Sequence, residues 1–481
     1  MSSIKTNYFL NLVNTVAGLL FPLITFPYAS RIMMADGIGQ VNFFSSIIAY
    51  ITLFTCLGIP MYAIREIAKI RENERERSKI ATEILLLHAG LSILGYVAVA
   101  IIATTVAKVQ INIPLFLLLS TTIFMTAIGS EWFFQGIEDF KYITIRGIVV
   151  KTVAVVLLFL LVHTKEDIMW YAAYTVFGVL GGNVFNFIRL RKFIHIRSFS
   201  FKDLHPLRHL KPALHIFVLN IIVSIYVNLD TVMLGFMKDD AAVGYYTGAT
   251  KLTRVILGII SPLGIVMLPR LSNLIATGQK KEFDRLANKA VNFVIALSLP
   301  LAVGLIIMGP TLIRLFCGQG YEPAILTLQI ISPVVFIIAL SNIIGTQILY
   351  PQGYENKVII STAIGAAINF TMNCFLIPQM AQNGAALATV VAECSVTLTQ
   401  LLIGAAFIPV KLFNRNTMNY LVATILMGVG ICLISFLCMK DIVNLFVIPF
   451  TGCIIYFSYL YMVKDLFCIE IITLIKSKIN R

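Results

Sequence analysis

Apolar runs recur along the whole chain, separated by short polar gaps. Fourteen can be delimited, at 8–30, 40–63, 81–105, 113–135, 143–162, 168–188, 212–235, 243–268, 290–312, 324–348, 358–378, 384–407, 418–438 and 442–462. Each is about 20 residues long, enough to cross a ~30 Å hydrocarbon core as a helix. Lipid leaves no partner for unpaired backbone groups, so the pattern predicts spanning α-helices. The runs are too long and continuous for the ten-residue alternation of a β-barrel. The first, from Tyr8 to Tyr28, has no small-residue cleavage pattern and reads as a true span.

The polar gaps add an orientation. Arg31, Lys108, Lys165, Lys238, Arg314 and Lys440 are the six bases on one side, against 28 on the other. The dense gaps are 65–79, with six, 189–211, with seven, and 270–289, with five. Lysine and arginine accumulate on the cytoplasmic side, so both termini are expected in the cytoplasm. The alternation also requires an even number of spans.

Composition agrees with this reading. Hydrophobic residues make up 58% and charged residues 12% of the 481, against roughly 25% charged in soluble domains. The net charge of +14 is then positive-inside bias rather than a nucleic-acid surface. The eight cysteines form no CxxC pair and the six histidines no metal-ligand spacing. Neither a metal nor a cofactor is expected. The loops hold no ATP-binding motif, so any transport must draw on an ion gradient, the membrane potential or the substrate gradient.

An internal repeat sets the architecture. Gln135-Gly136-Ile137-Glu138 recurs as Gln352-Gly353-Tyr354-Glu355, each copy ending a span. A weaker echo joins Asp36-Gly37-Ile38-Gly39-Gln40 to Asp240-Ala241-Ala242-Val243-Gly244-Tyr245. The offset covers an even number of spans, giving a parallel repeat. The predicted fold is an all-α polytopic membrane protein. It has a six-helix bundle over 1–188, a basic connector over 189–211 and a second bundle over 212–407. Two extra helices and a tail fill 408–481. Two facing bundles create a cleft that rocking can open to either side. No loop resembles a channel's selectivity filter, which favours a transporter.

Ionisable groups inside a membrane are costly and usually face a cavity or a partner. Lys151, Lys251 and Arg254 fall within predicted spans, and Arg31 sits near the outer end of the first. Lys251 and Arg254 share a helix face by their spacing of three. A cationic cavity built from these bases suits an anion such as a phosphate or pyrophosphate. The competing reading is ion pairing, with Asp230, Glu131 or Glu393 neutralising them. Those acids are also candidates for ion coupling, since a buried carboxylate's affinity for protons depends on its surroundings. Arg31 could instead snorkel to headgroups. Glu131 precedes Trp132-Phe133-Phe134, which reads as a helix-end gate or as interfacial aromatics. Prolines 22, 27, 60, 262 and 333 fall inside spans and are expected to bend them. The basic connector should attract anionic phospholipids.

Several stretches carry a family resemblance. They are Asn11…Phe21-Pro22…Pro27-Tyr28…Ser30-Arg31 with Gly37-Ile38-Gly39, then Glu131-Trp132-Phe133-Phe134-Gln135-Gly136-Ile137-Glu138, then Asp230 with Gly235. Over roughly residues 5–460 the chain resembles the Wzx-type polysaccharide or O-antigen flippases. These are a branch of the multidrug/oligosaccharidyl-lipid/polysaccharide exporter superfamily. The resemblance implies a MATE-like fold of 12+2 helices and no enzymatic activity. It implies alternating access for an undecaprenyl-pyrophosphate-linked oligosaccharide, with Na⁺ or H⁺ coupling. It places Arg31 in a family-like motif; Lys151, Lys251 and Arg254 suit the same cationic cavity by charge and burial. Polysaccharide polymerase machinery is an expected partner. A lipid II flippase, a cation-coupled multidrug exporter and a non-transport membrane scaffold are the alternatives.

Overall fold

The computed structural model describes residues 4–195, 199–260, 262–410, 412, 414–436, 440–465 and 468–469. Arg197, Lys411, Lys476, Lys478 and Arg481, all part of the charge pattern, lie outside them. The described residues are overwhelmingly helical, as unpaired backbone in lipid demands. Ten helical stretches among them are long and apolar enough to cross a membrane. Two of these, Leu20–Lys69 and Glu355–Phe407, run 50 and 53 residues. That is more than a single ~30 Å crossing requires.

Packing divides the chain into two compact units, Met1–Gly244 and Tyr245–Arg481. The first contains α1 (Ile4–Cys56), α2 (Ile59–Lys69), α3 (Glu74–Thr105), α4 (Ala107–Gln110), α5 (Ile113–Gly129), α6 (Glu131–Gly136), α7 (Phe140–Leu161), α8 (Ile168–Leu190) and α9 (Leu210–Met237). α5 and α7 pack on α8, and α1 lies against α3, α5, α7 and α9. α10 (Asp240–Ile260) begins in this unit and runs into the second. The second unit continues with α11 (Pro262–Ala276), α12 (Lys280–Phe316), α13 (Pro323–Ile331), α14 (Val334–Asn342), α15 (Glu355–Gly404), α16 (Arg415–Ser435) and α17 (Asp441–Met462). Its core gathers α12, α14, α16 and α17 around Val291, Ile295, Val335 and Tyr420.

The long helices are broken by single residues. α1 kinks at Met34 (φ 55°) and α15 at Ala381 (φ 49°). Both lie where the sequence pattern places a gap between spans. Pro22 and Pro27 lie within α1 as expected, and Pro333 stands at the break between α13 and α14 inside the span Pro323–Gln352. Pro60 instead falls in the first turn of α2, and the residue preceding Pro262 lies outside the described residues. A first-turn proline loses no hydrogen bond, because the N–H there has no intrahelical partner. The helix before Pro60 already ends at Leu57–Gly58, where Gly58 takes φ 83°. A side chain at Gly58 would also meet the Ala213 carbonyl.

The two Gln-Gly-x-Glu copies each link one helix to the next, with different backbones. In the first the left-handed residue is Glu138; in the second it is Gly353. The two shorter echo segments meet each other. A Cβ on Gly39 would lie 1.6 Å from the Asp240 carbonyl oxygen, and one on Gly244 would lie 2.0 Å from that of Ala35. Each segment thus places a small residue on the other's backbone.

Candidate substrate-binding residues

The first unit carries Arg31, Lys151, Glu131 and Asp230. Arg31 is exposed on α1 and folds back so that its guanidinium donates to the Pro27 carbonyl. Lys151 is half-buried on α7 and reaches towards α1, its Nζ 3.7 Å from where a Cβ on Gly18 would stand. The fields of Glu131 and Arg146 both act on the Lys151 ammonium.

Glu131 pairs with Arg146 of α7. Arg146 Nη2 lies 2.6 Å from Glu131 Oε2, and Arg146 also donates to the Gly182 carbonyl at 3.3 Å. Gln135 donates to the other Glu131 oxygen at 3.2 Å. A left-handed Ser130 separates α5 from α6 and turns Glu131 towards α7. The aromatics after it are not interfacial. Trp132, Phe133 and Phe134 are buried, packed with Tyr142 and Phe193. Gly136 sits so close to α2 that a Cβ would strike Ile67. The Glu-Trp-Phe-Phe-Gln-Gly stretch is therefore a packed corner that also positions an ion pair. Asp230 is buried on α9, and its charge acts on the Tyr50 hydroxyl of α1.

The second unit carries Lys251, Arg254 and Glu393. Lys251 and Arg254 occupy successive turns of α10, the lysine half-buried and the arginine exposed. Their mutual repulsion is felt at Lys251. The same helix face is flanked by small residues: Gly248 packs on Cys317 and Tyr321. Glu393 is buried in the second half of α15, where Thr397 donates to its carbonyl.

Two polar groupings escape a search for charges in mid-span. In the second unit Asn342, Thr346 and Gln347 line a cavity of about 260 Å³ with Leu257, Gly264 and Val294. Residues 343–349 form a π-helical turn there, a wider winding often found at functional sites. Ser341 donates to Gln400 beside it, at 3.2 Å. In the first unit Glu83 is fully buried near the start of α3. It accepts from Arg208 Nε at 2.9 Å and from the His205 backbone N–H at 2.9 Å. His209 Nε2 lies 2.8 Å away, and its Nδ1 lies 2.7 Å from the Tyr62 hydroxyl. Arg189 is held likewise, 2.7 Å from Asp139 and stacked 3.9 Å from the Tyr142 ring centre. The connector is thus tied to the helices by buried and half-buried acids.

Residues 4–275 match the model of the family described as "Polysaccharide biosynthesis protein", and residues 216–375 match the MatE model. A putative O-antigen transporter of Escherichia coli (strain K12) is 24% identical over 390 residues, covering 80% of this chain and 92% of that protein. A probable lipid II flippase MurJ of Rhizobium tropici is 30% identical over 159 residues, covering 32% of this chain and 30% of that one. Among solved structures, the lipid II flippase MurJ in an inward closed conformation matches with a TM-score of 0.78. It does so at 15% identity, over 96% of this chain and all of that one. An inward-facing multidrug resistance MATE family transporter matches with a TM-score of 0.60 at 15% identity, over 85% and 95%.

Proposed function

The chain belongs to the polysaccharide biosynthesis protein family, a group of membrane transporters and not of enzymes, and from that premise we propose that it flips a lipid-linked oligosaccharide across a bacterial plasma membrane. The carrier is an undecaprenyl pyrophosphate, and the mechanism is alternating access between two six-helix bundles with two further helices, fourteen spans in all. The observation that carries the reading is Lys251 and Arg254 on successive turns of α10. Two bases on one face match the charge of a pyrophosphate, arginine by its planar fork and lysine as a point charge. In the other unit Lys151 and Arg31 are proposed to attract the same group. The isoprenoid tail stays in hydrocarbon, where it costs nothing, while the polar head moves through a wet, positive path.

A pyrophosphate held this way must also be released. Asp230, buried and acting on Tyr50, is proposed to take up H⁺ or Na⁺ and drive that step. Glu131 has its charge matched by Arg146 and Glu393 is the reserve candidate. Polysaccharide polymerase machinery is the proposed acceptor on the outer side.

Lipid II is the second reading for the head group. It is favoured by the similarity to MurJ over 96% of this chain. The O-antigen reading is favoured by the coverage of the Escherichia coli relative. Both share the carrier pyrophosphate and so the same bases.

Reconstituted vesicles test the proposal. Arg254→Ala or Lys251→Ala is expected to lower transfer of undecaprenyl-pyrophosphate oligosaccharide at least tenfold, about 1.4 kcal/mol of lost binding. Arg254→Lys should recover part of it. In the same vesicles Asp230→Asn should remove the response to an imposed Na⁺ or H⁺ gradient. Unchanged transfer at normal protein level would refute the role of the bases. Supplying lipid II in parallel decides between the two head groups.

A further inference from the structure

We infer that the first unit holds a site for one anionic phospholipid, in a groove formed by α3, α5 and α8. The groove encloses about 700 Å³. Ser92, Ala127 and Leu190 are buried at its floor; Leu86, Ile93 and Phe124 are exposed along its walls. Along α3 it runs from Thr82 to Tyr96, about 21 Å at 1.5 Å per residue. That exceeds the depth of one leaflet, about half of a ~30 Å hydrocarbon core. An apolar channel of this length, on the outside of a membrane bundle, is filled by a hydrocarbon chain.

What selects the lipid is the mouth. Arg191 lines the groove just beyond the end of α8, and its guanidinium lies 5.2 Å from the ring centre of Phe187, which also lines it. Arg191 and the adjacent Lys192 are both exposed. They stand on the side where the chain's bases crowd, at headgroup level for a chain lying in the groove. A base in this position favours an anionic headgroup over a zwitterionic one. A second apolar groove of about 550 Å³, where α3 meets α1 and α9, has no charged residue in its lining. It lacks the feature that distinguishes the first. Tyr96 closes the far end of the site, its hydroxyl donating to the Ser120 carbonyl at 3.2 Å.

The site is independent of the transported head group. Native mass spectrometry of the full-length protein in detergent tests it, with phosphatidylglycerol and phosphatidylcholine of identical chains. Phosphatidylglycerol is expected to be retained about fivefold better, the preference that one base near the surface supplies. Arg191→Gln should bring the ratio close to one. Ala89→Trp, which fills the groove from its exposed edge, should lower retention of both lipids. Its thermal midpoint checks that it folds, and if it does not, Arg191→Gln decides alone. Equal retention of the two lipids, or a preference unchanged in Arg191→Gln, would overturn the assignment. So would displacement of phosphatidylglycerol by an equal amount of undecaprenyl phosphate, which would give the groove to the carrier lipid.

Discussion

Glu83 shows what a single buried charge demands. Its carboxylate has no exposure, and removal from water is tolerable only with several donors around it. Arg208, His209 and the His205 N–H supply them. Glu83→Ala should therefore cost about 1–3 kcal/mol, the penalty of breaking charged hydrogen bonds. A lower thermal midpoint in detergent would register it. His209 adds a dependence on pH. Burial pushes its imidazole below the ordinary value of 6.5, a shift that Glu83 opposes and Arg208 reinforces, with Glu66 also acting on it. The Tyr62 hydroxyl is the remaining titratable contact. Because the folded value is depressed, the unfolded chain takes up this proton first as pH falls below 6.5. Stability from His209 is full above that value and is lost towards the folded value. Between pH 7 and 5 the wild type should lose more of its thermal midpoint than His209→Gln does. Equal slopes would remove His209 from the account. None of this was legible in the chain. Glu83 stands among the charges that open α3, and its partner His209 comes 126 residues later.

At the scale of elements, the turns matter more than the spans. A run of twenty apolar residues declares a helix whatever its neighbours. Its ends depend on contacts far away. The kink at Met34 and the start of α10 are held together by reciprocal close approaches, Gly39 on Asp240 and Gly244 on Ala35. Small residues four apart let two helices approach to backbone contact. Lys108 secures the same corner, donating to the Gly235 and Lys238 carbonyls and pairing with Asp240 at 3.2 Å. Gly244→Val puts side-chain atoms where the Ala35 carbonyl stands. Backbone cannot step aside as a flexible side chain can, so a loss of about 1–3 kcal/mol or more is expected. A thermal midpoint equal to the wild type would show that α1 and α10 do not meet this way. The sequence pairs these segments as echoes of one another. It carries no sign that they touch.

For the whole molecule the strongest prediction concerns topology. With both termini in the cytoplasm, reporters fused after Lys211 and Arg415 should read as cytoplasmic. Those after Lys238 and Lys440 should read as external. A reporter after Lys440 that reads as cytoplasmic would break the fourteen-span plan. Length and apolar composition alone determined that this is an all-helical, multi-pass membrane protein, because lipid permits little else. Charge in the gaps supplied the expected orientation, and the family resemblance needed only short motifs. Tertiary structure decided the partners. It gave Glu131 to Arg146 rather than to a mid-span lysine, turned Trp132-Phe133-Phe134 inward, and moved Pro60 to a helix start. It also revealed the cavity around Gln347. The physical reason is one of range. Burial in lipid acts on each residue by itself and leaves its mark as local hydropathy. Ion pairs, close helix contacts and cavities need two distant segments at once, and only the folded chain brings those together.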